Sequence, residues 1–292
     1  MKIVDAAPVL TVGNASAEPW QAWLALGFVR DGETTRLVER SHHGPLRVQK
    51  PLYPEGSDVC HAIVVHPPGG VVGGDQLDIH ACIGARAGAF ITTPGAAKWY
   101  KANGQVSQQS VRLSVGDGAV LEWLPQETIF FDAADVRLDA TIELGKDASY
   151  IGCEILCFGR TASGESFSKG RIGQSTSIRR DGRLVWFEQG ELTADSTAMS
   201  SPLGLAGRTV CATLIGVGRP VPNGAITAIR ETCSTGLAAS ELFGVTQMKS
   251  VVVVRYLGDS SEAAKRLMTQ AWRTLRPLLA GREAVVPRIW NT

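Results

Sequence analysis

The sequence lacks the composition that marks several classes of protein. The net charge of the 292 residues is only +1, and aromatic residues make up 7%. No Lys/Arg-rich run occurs and no aromatic residues are interleaved with basic ones, so we predict no nucleic acid as a partner. No window approaches the roughly 18 consecutive apolar residues that span a bilayer, so we predict no membrane association. The first ten residues lack the regions of a signal peptide, and we therefore predict a cytoplasmic protein with reduced cysteines.

Several motifs of catalysis and cofactor binding are also missing. The chain has no Walker A sequence, no GxGxxG fingerprint, no GxSxG nucleophile turn and no HExxH zinc motif. On a strand, Cys153 and Cys157 would lie about 13 Å apart, too far to ligate one ion together, because a strand rises ~3.3 Å per residue. Adjacent His42 and His43 would point to opposite faces of a strand. The common phosphate, nucleophile and zinc chemistries are therefore not indicated.

Glycine is the residue that the chain has in excess, with 32 copies beside 14 prolines, which indicates many tight turns between short strands. Three runs alternate apolar and polar residues with the period of a half-buried strand. These runs cover residues 77–83, 111–115 and 136–144. Each leads into a glycine turn and an apolar strand, and the turn residues Gly84, Gly116 and Gly145 are 32 and 29 residues apart. This spacing predicts a mainly β fold of stacked strands, either a β-solenoid or a sandwich of layered sheets, and Asp181–Gly182 predicts a further hairpin.

Helices are expected in the C-terminal third, where we predict two or three of them. A capping serine at 260 or 261 predicts a helix that is ended by Pro277, and a second helix is predicted over 224–233. The four valines at 251–254 favour a buried strand between them, because β-branched side chains are stiff in a helix. Neither a linker nor a low-complexity tract interrupts the chain, so we predict a single domain over residues 1–292.

Acidic residues stand at unusual places in the predicted strands. Asp75 follows four glycines in HPPGGVVGGDQL, residues 66–77, where glycine permits close approach of another chain segment. Glu154 interrupts the apolar run YIGCEILCFG, and Glu122 and Glu188 repeat that pattern in AVLEWLP and LVWFEQG. Carboxylates embedded in this way fit a polar passage or a partner-facing groove with oxygen ligands for a borderline divalent ion. Alternate faces of half-exposed strands explain each of them equally well.

An ordered set of segments resembles one known family, the urease accessory proteins UreD, called UreH in some bacteria. The resemblance runs from about residue 40 to the last residue. Its segments are HPPGGVVGGDQL (66–77), TTPGAAKWY (92–100), LEWLPQETIFFD (121–132), FGRTASGE (158–165), SPLGLAGR (201–208) and LRPLLAGREAVVPRIWNT (275–292). The resemblance implies a β-rich fold with helices, in agreement with the repeat, and a UreD-type domain over the whole chain.

The resemblance also implies a role without catalysis in the maturation of urease. A protein of this family binds UreF and the GTPase UreG, docks on apo-urease and helps to insert nickel, with UreE as an indirect nickel donor. It holds no tightly bound cofactor, and nickel is transient, passing through an internal tunnel. The acidic positions proposed for that tunnel correspond here to Asp75, Glu154 and Glu188, with Glu191 as a neighbouring alternative to Glu188.

The C-terminal helix and tail are the predicted contact region for the partner UreF. The residues predicted to take part are Trp272, Arg276, Arg288 and Trp290. A tail that packs into the core of its own chain is the alternative, and the sequence does not decide between the two.

Two other classes of function remain open at this stage. One is a secreted-type β-solenoid that binds or hydrolyses polysaccharide with paired carboxylates as acid and base. Such a hydrolase would carry an export signal and a groove rich in exposed aromatic residues, and neither is indicated here. The other is a generic β-sandwich binding module.

Overall fold

Two β-sheets lie face to face in the computed structural model, which describes residues 20–291. In chain order the strands are β1 (Gln21–Asp31), β2 (Thr34–His43), β3 (Arg47–Val48), β4 (Val59–Val65), β5 (Gln76–Ile83), β6 (Gly88–Thr92), β7 (Ala97–Trp99), β8 (Ser107–Val115), β9 (Val120–Trp123), β10 (Thr128–Phe130), β11 (Ala134–Leu144), β12 (Ser149–Phe158), β13 (Gly170–Arg180), β14 (Arg183–Thr193), β15 (Val210–Val217), β16 (Leu242–Met248) and β17 (Val251–Gly258). The first sheet has the order β14-β13-β11-β8-β5-β1-β2. The second has the order β16-β17-β15-β12-β9-β6-β4-β3, with β10 beside β12 and β7 beside β10.

The 30-residue repeat forms three stacked coils. Strands β5, β8 and β11 are parallel neighbours in the first sheet, and each passes through a glycine turn into β6, β9 or β12, which are parallel neighbours in the second sheet. The coils lie so close at these turns that a Cβ atom on Gly116 would come within 2.8 Å of the Ala85 nitrogen. The stacked-strand fold predicted from the sequence is confirmed.

The hairpin predicted at Asp181–Gly182 joins β13 to β14. Both turn residues have positive φ, 48° and 73°, as a two-residue turn between antiparallel strands requires. The resulting hairpin forms one edge of the first sheet, and the antiparallel pair β1/β2 forms the other edge.

Three α-helices are present in the described residues: α1 (Thr197–Ser200), α2 (Asn223–Ser234) and α3 (Ser261–Ala280). The α2 prediction is confirmed, and Ser260 caps α3 by accepting a hydrogen bond from the Ala263 N–H. The prediction that α3 ends at Pro277 is wrong, since the helix runs one further turn to Gly281, whose φ is 70°. That turn packs Leu279 against the second sheet, where the adjacent Gly216 leaves room for it, and this packing outweighs the one hydrogen bond that proline removes.

The apolar core has two layers, one on each face of the second sheet. The first layer fills the space between the sheets, and the second lies under α2 and α3. No helix within residues 20–291 is long and apolar enough to cross a membrane. The prediction made from the first ten residues concerns a segment outside the described part of the chain.

Candidate functional site

A layer of polar side chains lies between the two sheets and reaches the surface at Arg255, whose side chain is 51% exposed. Glu154 on β12, Thr213 on β15 and Arg255 on β17 are in register across three neighbouring strands of the second sheet. Gln174 on β13 and Glu188 on β14 face them from the first sheet. We call these five residues the inter-sheet polar layer. Strand alternation explains its position, because residues two apart along each strand share the face that looks into the core.

The two glutamates of this layer have different partners. Gln174 Nε2 lies 2.6 Å from both carboxylate oxygens of Glu154. Arg255 Nη2 lies 2.6 Å from Glu188 Oε1, and the Glu188 side chain is 33% exposed. Both glutamates line one cavity of about 140 Å³. The structure thus brings Glu154 and Glu188 together, as the sequence-based hypothesis of a shared polar passage requires.

Glu154 has a carboxyl group that titrates near neutral pH. Burial is the main cause that raises its pKa to about 7, and the negative charge of Glu188 acts in the same direction. The hydrogen bond from Gln174 and the charge of Arg255 oppose this rise without cancelling it. Near neutral pH this carboxyl group is therefore present in both its protonated and its ionised form.

Asp75 lies outside the inter-sheet polar layer. Its carboxylate is buried and accepts hydrogen bonds of 3.0 Å from the backbone N–H groups of Trp20 and Val72. The neighbouring glycine is required by contact, since a Cβ atom on Gly73 would lie 1.7 Å from the Ala102 oxygen. The glycine-rich segment is therefore a tight turn that Asp75 holds in shape from inside.

A second cavity of about 210 Å³ adjoins the first. The two share five lining residues: Val64, Ile79, Thr93, Ala97 and Gln109. Exposed residues of the loops around Gly69 and Gly95 also line the second cavity, so it lies next to the surface. We call these two adjoining cavities the inner space; the loops line one of them and Glu154 lines the other.

Trp272 and Arg276 occupy the helix-side core, where their side chains are 1% and 0% exposed. Arg276 Nη2 lies 2.9 Å from Glu122 Oε2 and from Glu55 Oε1, and Trp272 Nε1 donates to Glu122 Oε1 at 2.6 Å. His61 Nε2 lies 2.6 Å from Glu55 Oε1. We call these five residues the buried ion network. Trp272 and Arg276 thus lie in the core of their own chain, and their contact with a partner stays a prediction.

The carboxylate of Glu55 illustrates how this network compensates burial. Burial alone would raise the pKa of Glu55, but the hydrogen bonds from His61 and Arg276 outweigh that effect and hold the pKa below its usual range. Burial of Arg276 likewise opposes its charge, and the two glutamates raise the pKa of the guanidinium overall.

The two remaining predicted contact residues lie in the last turn of the chain, a 3₁₀-helix over Arg288–Asn291. Arg288 is exposed. Trp290 is half-buried; its Nε1 donates to Thr92 Oγ1 at 2.8 Å, and its ring centroid lies 5.8 Å from that of Trp272. The tail therefore packs on its own core through Trp290 and presents Arg288 to solvent.

Metal ligands are not clustered in the described structure. Within residues 20–291 there is no group of three or more His, Cys, Asp or Glu side chains that could hold a metal ion. Cys153 lines the cavity of Glu154, and burial, with a further contribution from the charge of Glu154, raises the pKa of its thiol, so that the thiol stays protonated at neutral pH. Any cation that enters the inner space would therefore meet isolated oxygen and nitrogen donors.

Sequence reasoning missed Gln174, Thr213 and Arg255 as members of the polar layer. A signal for Arg255 was available, because it follows Val251 and Val253 with period two and so shares their inward face. Gln174 sits in a largely polar strand and Thr213 in an apolar one, and only the pairing of the strands and sheets brings them to Glu154.

Comparisons with known proteins agree on one family. A family profile described as UreD urease accessory protein matches residues 21–291. A relative from Janthinobacterium sp. (strain Marseille), named urease accessory protein UreD, is 63% identical over 280 residues, which cover 96% of this chain and 94% of the relative. A relative of the same name from Nitrosospira multiformis is 55% identical over 278 residues, covering 95% of this chain and 100% of the relative.

Proposed function

Since the chain belongs to the UreD family of urease accessory proteins, we propose that it is a non-catalytic factor that assists nickel insertion during urease maturation. In this role it binds UreF and the GTPase UreG in the cytoplasm and docks on apo-urease. UreE supplies nickel indirectly. The family match and the names of the relatives support a maturation role in general, and the finer steps are our proposal.

The inner space that reaches Glu154 is the observation that carries this proposal. A passage for a divalent cation needs polar groups inside a fold whose core is otherwise apolar, because bare charge in a dry core is strongly disfavoured. The adjoining cavities and the inter-sheet polar layer supply such groups. Glu188 and Glu154 would offer successive oxygen donors, and Asp75 would shape the turn near the outer cavity without contacting the cation.

The chemistry of these donors suits transfer better than storage. Tight metal sites in proteins have several ligands in closed geometry. A single carboxylate near pKa 7, with an amide as its partner, binds a cation weakly and releases it. We therefore propose a transient path for nickel and no resident metal.

A matched pair of variants tests this proposal. Glu154→Gln removes the charge inside the cavity and keeps the shape of the side chain. Glu143→Gln makes the same change on the outer face of the first sheet, where Glu143 is 47% exposed. Each variant is expressed with the urease subunits and the other accessory proteins, and urea hydrolysis and urease-bound nickel are measured at limiting nickel.

We expect Glu154→Gln to lower both urea hydrolysis and bound nickel, and Glu143→Gln to leave both at the wild-type value. Omission of the chain sets the lower limit of the assay. Equal nickel loading with and without the chain would refute the maturation role. Equal loading by the two variants, with a strict need for the chain, would refute the passage alone.

The polysaccharide hydrolase is not carried further. Its paired carboxylates would need to flank an open groove that admits a sugar chain, whereas Glu154 and Glu188 face a cavity of about 140 Å³ between two sheets.

A further inference from the structure

Two residues that line the outer cavity each carry a buried side-chain nitrogen with no hydrogen-bond partner within residues 20–291. The two nitrogens are Nε2 of His66 and Nε1 of Trp99. Trp99 is 1% exposed. A buried polar atom that lacks a partner is costly in free energy unless something in the adjoining space satisfies it. Both nitrogens are therefore available to interact with a ligand in this cavity.

His66 is presented in the chemical form that binds metals. Burial lowers the pKa of its imidazole, while the negative charge of Asp75 acts against this shift. The neutral ring has a free lone pair on one nitrogen, and a neutral imidazole nitrogen suits borderline cations such as Ni²⁺ and Zn²⁺ better than Mg²⁺. The charge of Asp75 also attracts a cation to this position.

The position of His66 relates it to the rest of the inner space. It opens the segment HPPGG, and the outer cavity that it lines shares five residues with the cavity of Glu154. Lys98 is the charged side chain that also lines the outer cavity, and it is exposed, so its ammonium group can extend into water. An ion that entered here would thus meet the His66 nitrogen before the Glu154 oxygen.

We propose that His66 is a nitrogen ligand for a borderline divalent cation at the outer end of the inner space. This inference rests on the proposed function, which supplies nickel as the cargo, and adds a donor to its path. A single imidazole with water as the remaining ligands holds a cation briefly, as transfer to Glu154 demands.

Trp99 offers a direct readout of this site. The chain has seven tryptophans, and 5-fluorotryptophan gives each a separate fluorine NMR signal that Trp99→Phe identifies. Paramagnetic Ni²⁺ beside His66 should broaden the Trp99 signal. Trp186 is the internal reference, because its Nε1 is also buried without a partner and the residue lines neither cavity.

We expect NiCl₂ to broaden the Trp99 signal and to leave Trp186 sharp. Excess ZnCl₂ should restore the Trp99 signal by competition, and excess MgCl₂ should not. In His66→Gln, which keeps a side chain of similar length, the broadening should be lost. In His80→Gln, on the exposed outer face of the first sheet, it should be unchanged. A thermal melt checks that His66→Gln is folded, and His66→Asn replaces it if it is not.

Equal broadening of Trp99 in wild type and His66→Gln would overturn the inference, and so would no selective broadening in the wild type. The result is separable from the proposed function. Glu154→Gln should keep the Trp99 response and still lose urease activation. Nickel loading of urease that does not need the chain would refute the proposed function whatever the fluorine signals show.

Discussion

Two glutamates on neighbouring strands of the second sheet show how different the two faces of one sheet can be. Glu122 on β9 points to the helices and accepts hydrogen bonds from Trp272 and Arg276. Glu154 on β12 points between the sheets, where its partner is the neutral amide of Gln174. Both glutamates interrupt apolar strands in the sequence. The charge of Glu122 is compensated by Arg276, whereas Glu154 has only a neutral amide as its hydrogen-bond partner and its pKa is raised to about 7.

The largest expected effect on stability comes from disrupting the buried ion network on the helix side of the second sheet. Arg276→Met should destabilise the protein by about 3–5 kcal/mol, because it leaves the carboxylates of Glu55 and Glu122 buried without their cation. Arg273→Met is the matched control, since Arg273 is exposed on the same helix and its loss should change stability by less than about 0.5 kcal/mol. Urea unfolding followed by circular dichroism measures both. Similar midpoints for the two variants would contradict the structural role of the buried ion network.

The second expected effect is a contribution of Glu154 to stability that falls as pH rises, the reverse of the usual pH dependence for a carboxyl group. Glu154 has a folded pKa of about 7, above that of an unfolded chain, so the folded protein binds the proton more tightly between those values. The stabilisation is full at pH 4 and is lost as pH rises through 7. Glu154→Gln should abolish this dependence and raise the free energy of unfolding at pH 8 by roughly 1–3 kcal/mol relative to wild type.

Unfolding curves of wild type and Glu154→Gln between pH 5 and 8 test that expectation. The difference between the proteins should be small at pH 5 and largest at pH 8. A wild type whose stability rises over this range by the same amount as the variant would show that Glu154 is ionised throughout.

A third, smaller effect is expected from removing a single hydrogen bond of the buried ion network. Trp272→Phe keeps the aromatic ring and removes the N–H donor to Glu122. The expected cost is about 1.5 kcal/mol, the lower end of the range for a hydrogen bond to a charged group, because the carboxylate retains its other donors. Trp290→Phe removes the corresponding donor to Thr92 at the tail and provides a comparison. A cost for Trp272→Phe as large as that of Arg276→Met would mean that ring packing, and not charge, stabilises this face.

The smallest expected effect lies in the polar layer itself. Glu188→Gln removes a partly exposed ion pair with Arg255 and should change stability by less than about 1 kcal/mol. It should also lower the pKa of Glu154, because Glu188 raises that pKa and Arg255 would be left to interact with Glu154 alone. Titration of the glutamate side chains by carbon NMR measures this shift. An unchanged Glu154 pKa would show that the charge of Glu188 does not affect Glu154.

Much of the first sheet was predictable from period-two alternation and from the spacing of three glycine turns. Glu154 and Glu188 were also predictable as misplaced acids, because a carboxylate in an apolar strand needs a partner or water wherever the strand lies. The role of Arg276 was not predictable from its own neighbourhood. Arg276 lies on the apolar side of α3, where the neighbouring residues do not indicate a buried charge. Its acidic partner Glu55 is 221 residues away in the chain.

Asp75 was correctly predicted to lie beside a glycine turn, and its place on a nickel path stays a prediction. Local sequence indicates that a turn exists and which residues permit it. It does not indicate that both carboxylate oxygens of Asp75 accept hydrogen bonds from backbone N–H groups. Nor does it indicate that His66, nine residues earlier, lines the outer cavity.

The large sequence separation between Arg276 and its acidic partners has a consequence for folding during synthesis. Domains form from the N-terminus onward as the ribosome adds roughly 5–20 residues per second. Glu55 and Glu122 precede Arg276 by 221 and 154 residues. The stacked coils can therefore assemble before α3 is synthesised, while the face that carries Glu122 closes only after Arg276 has been added.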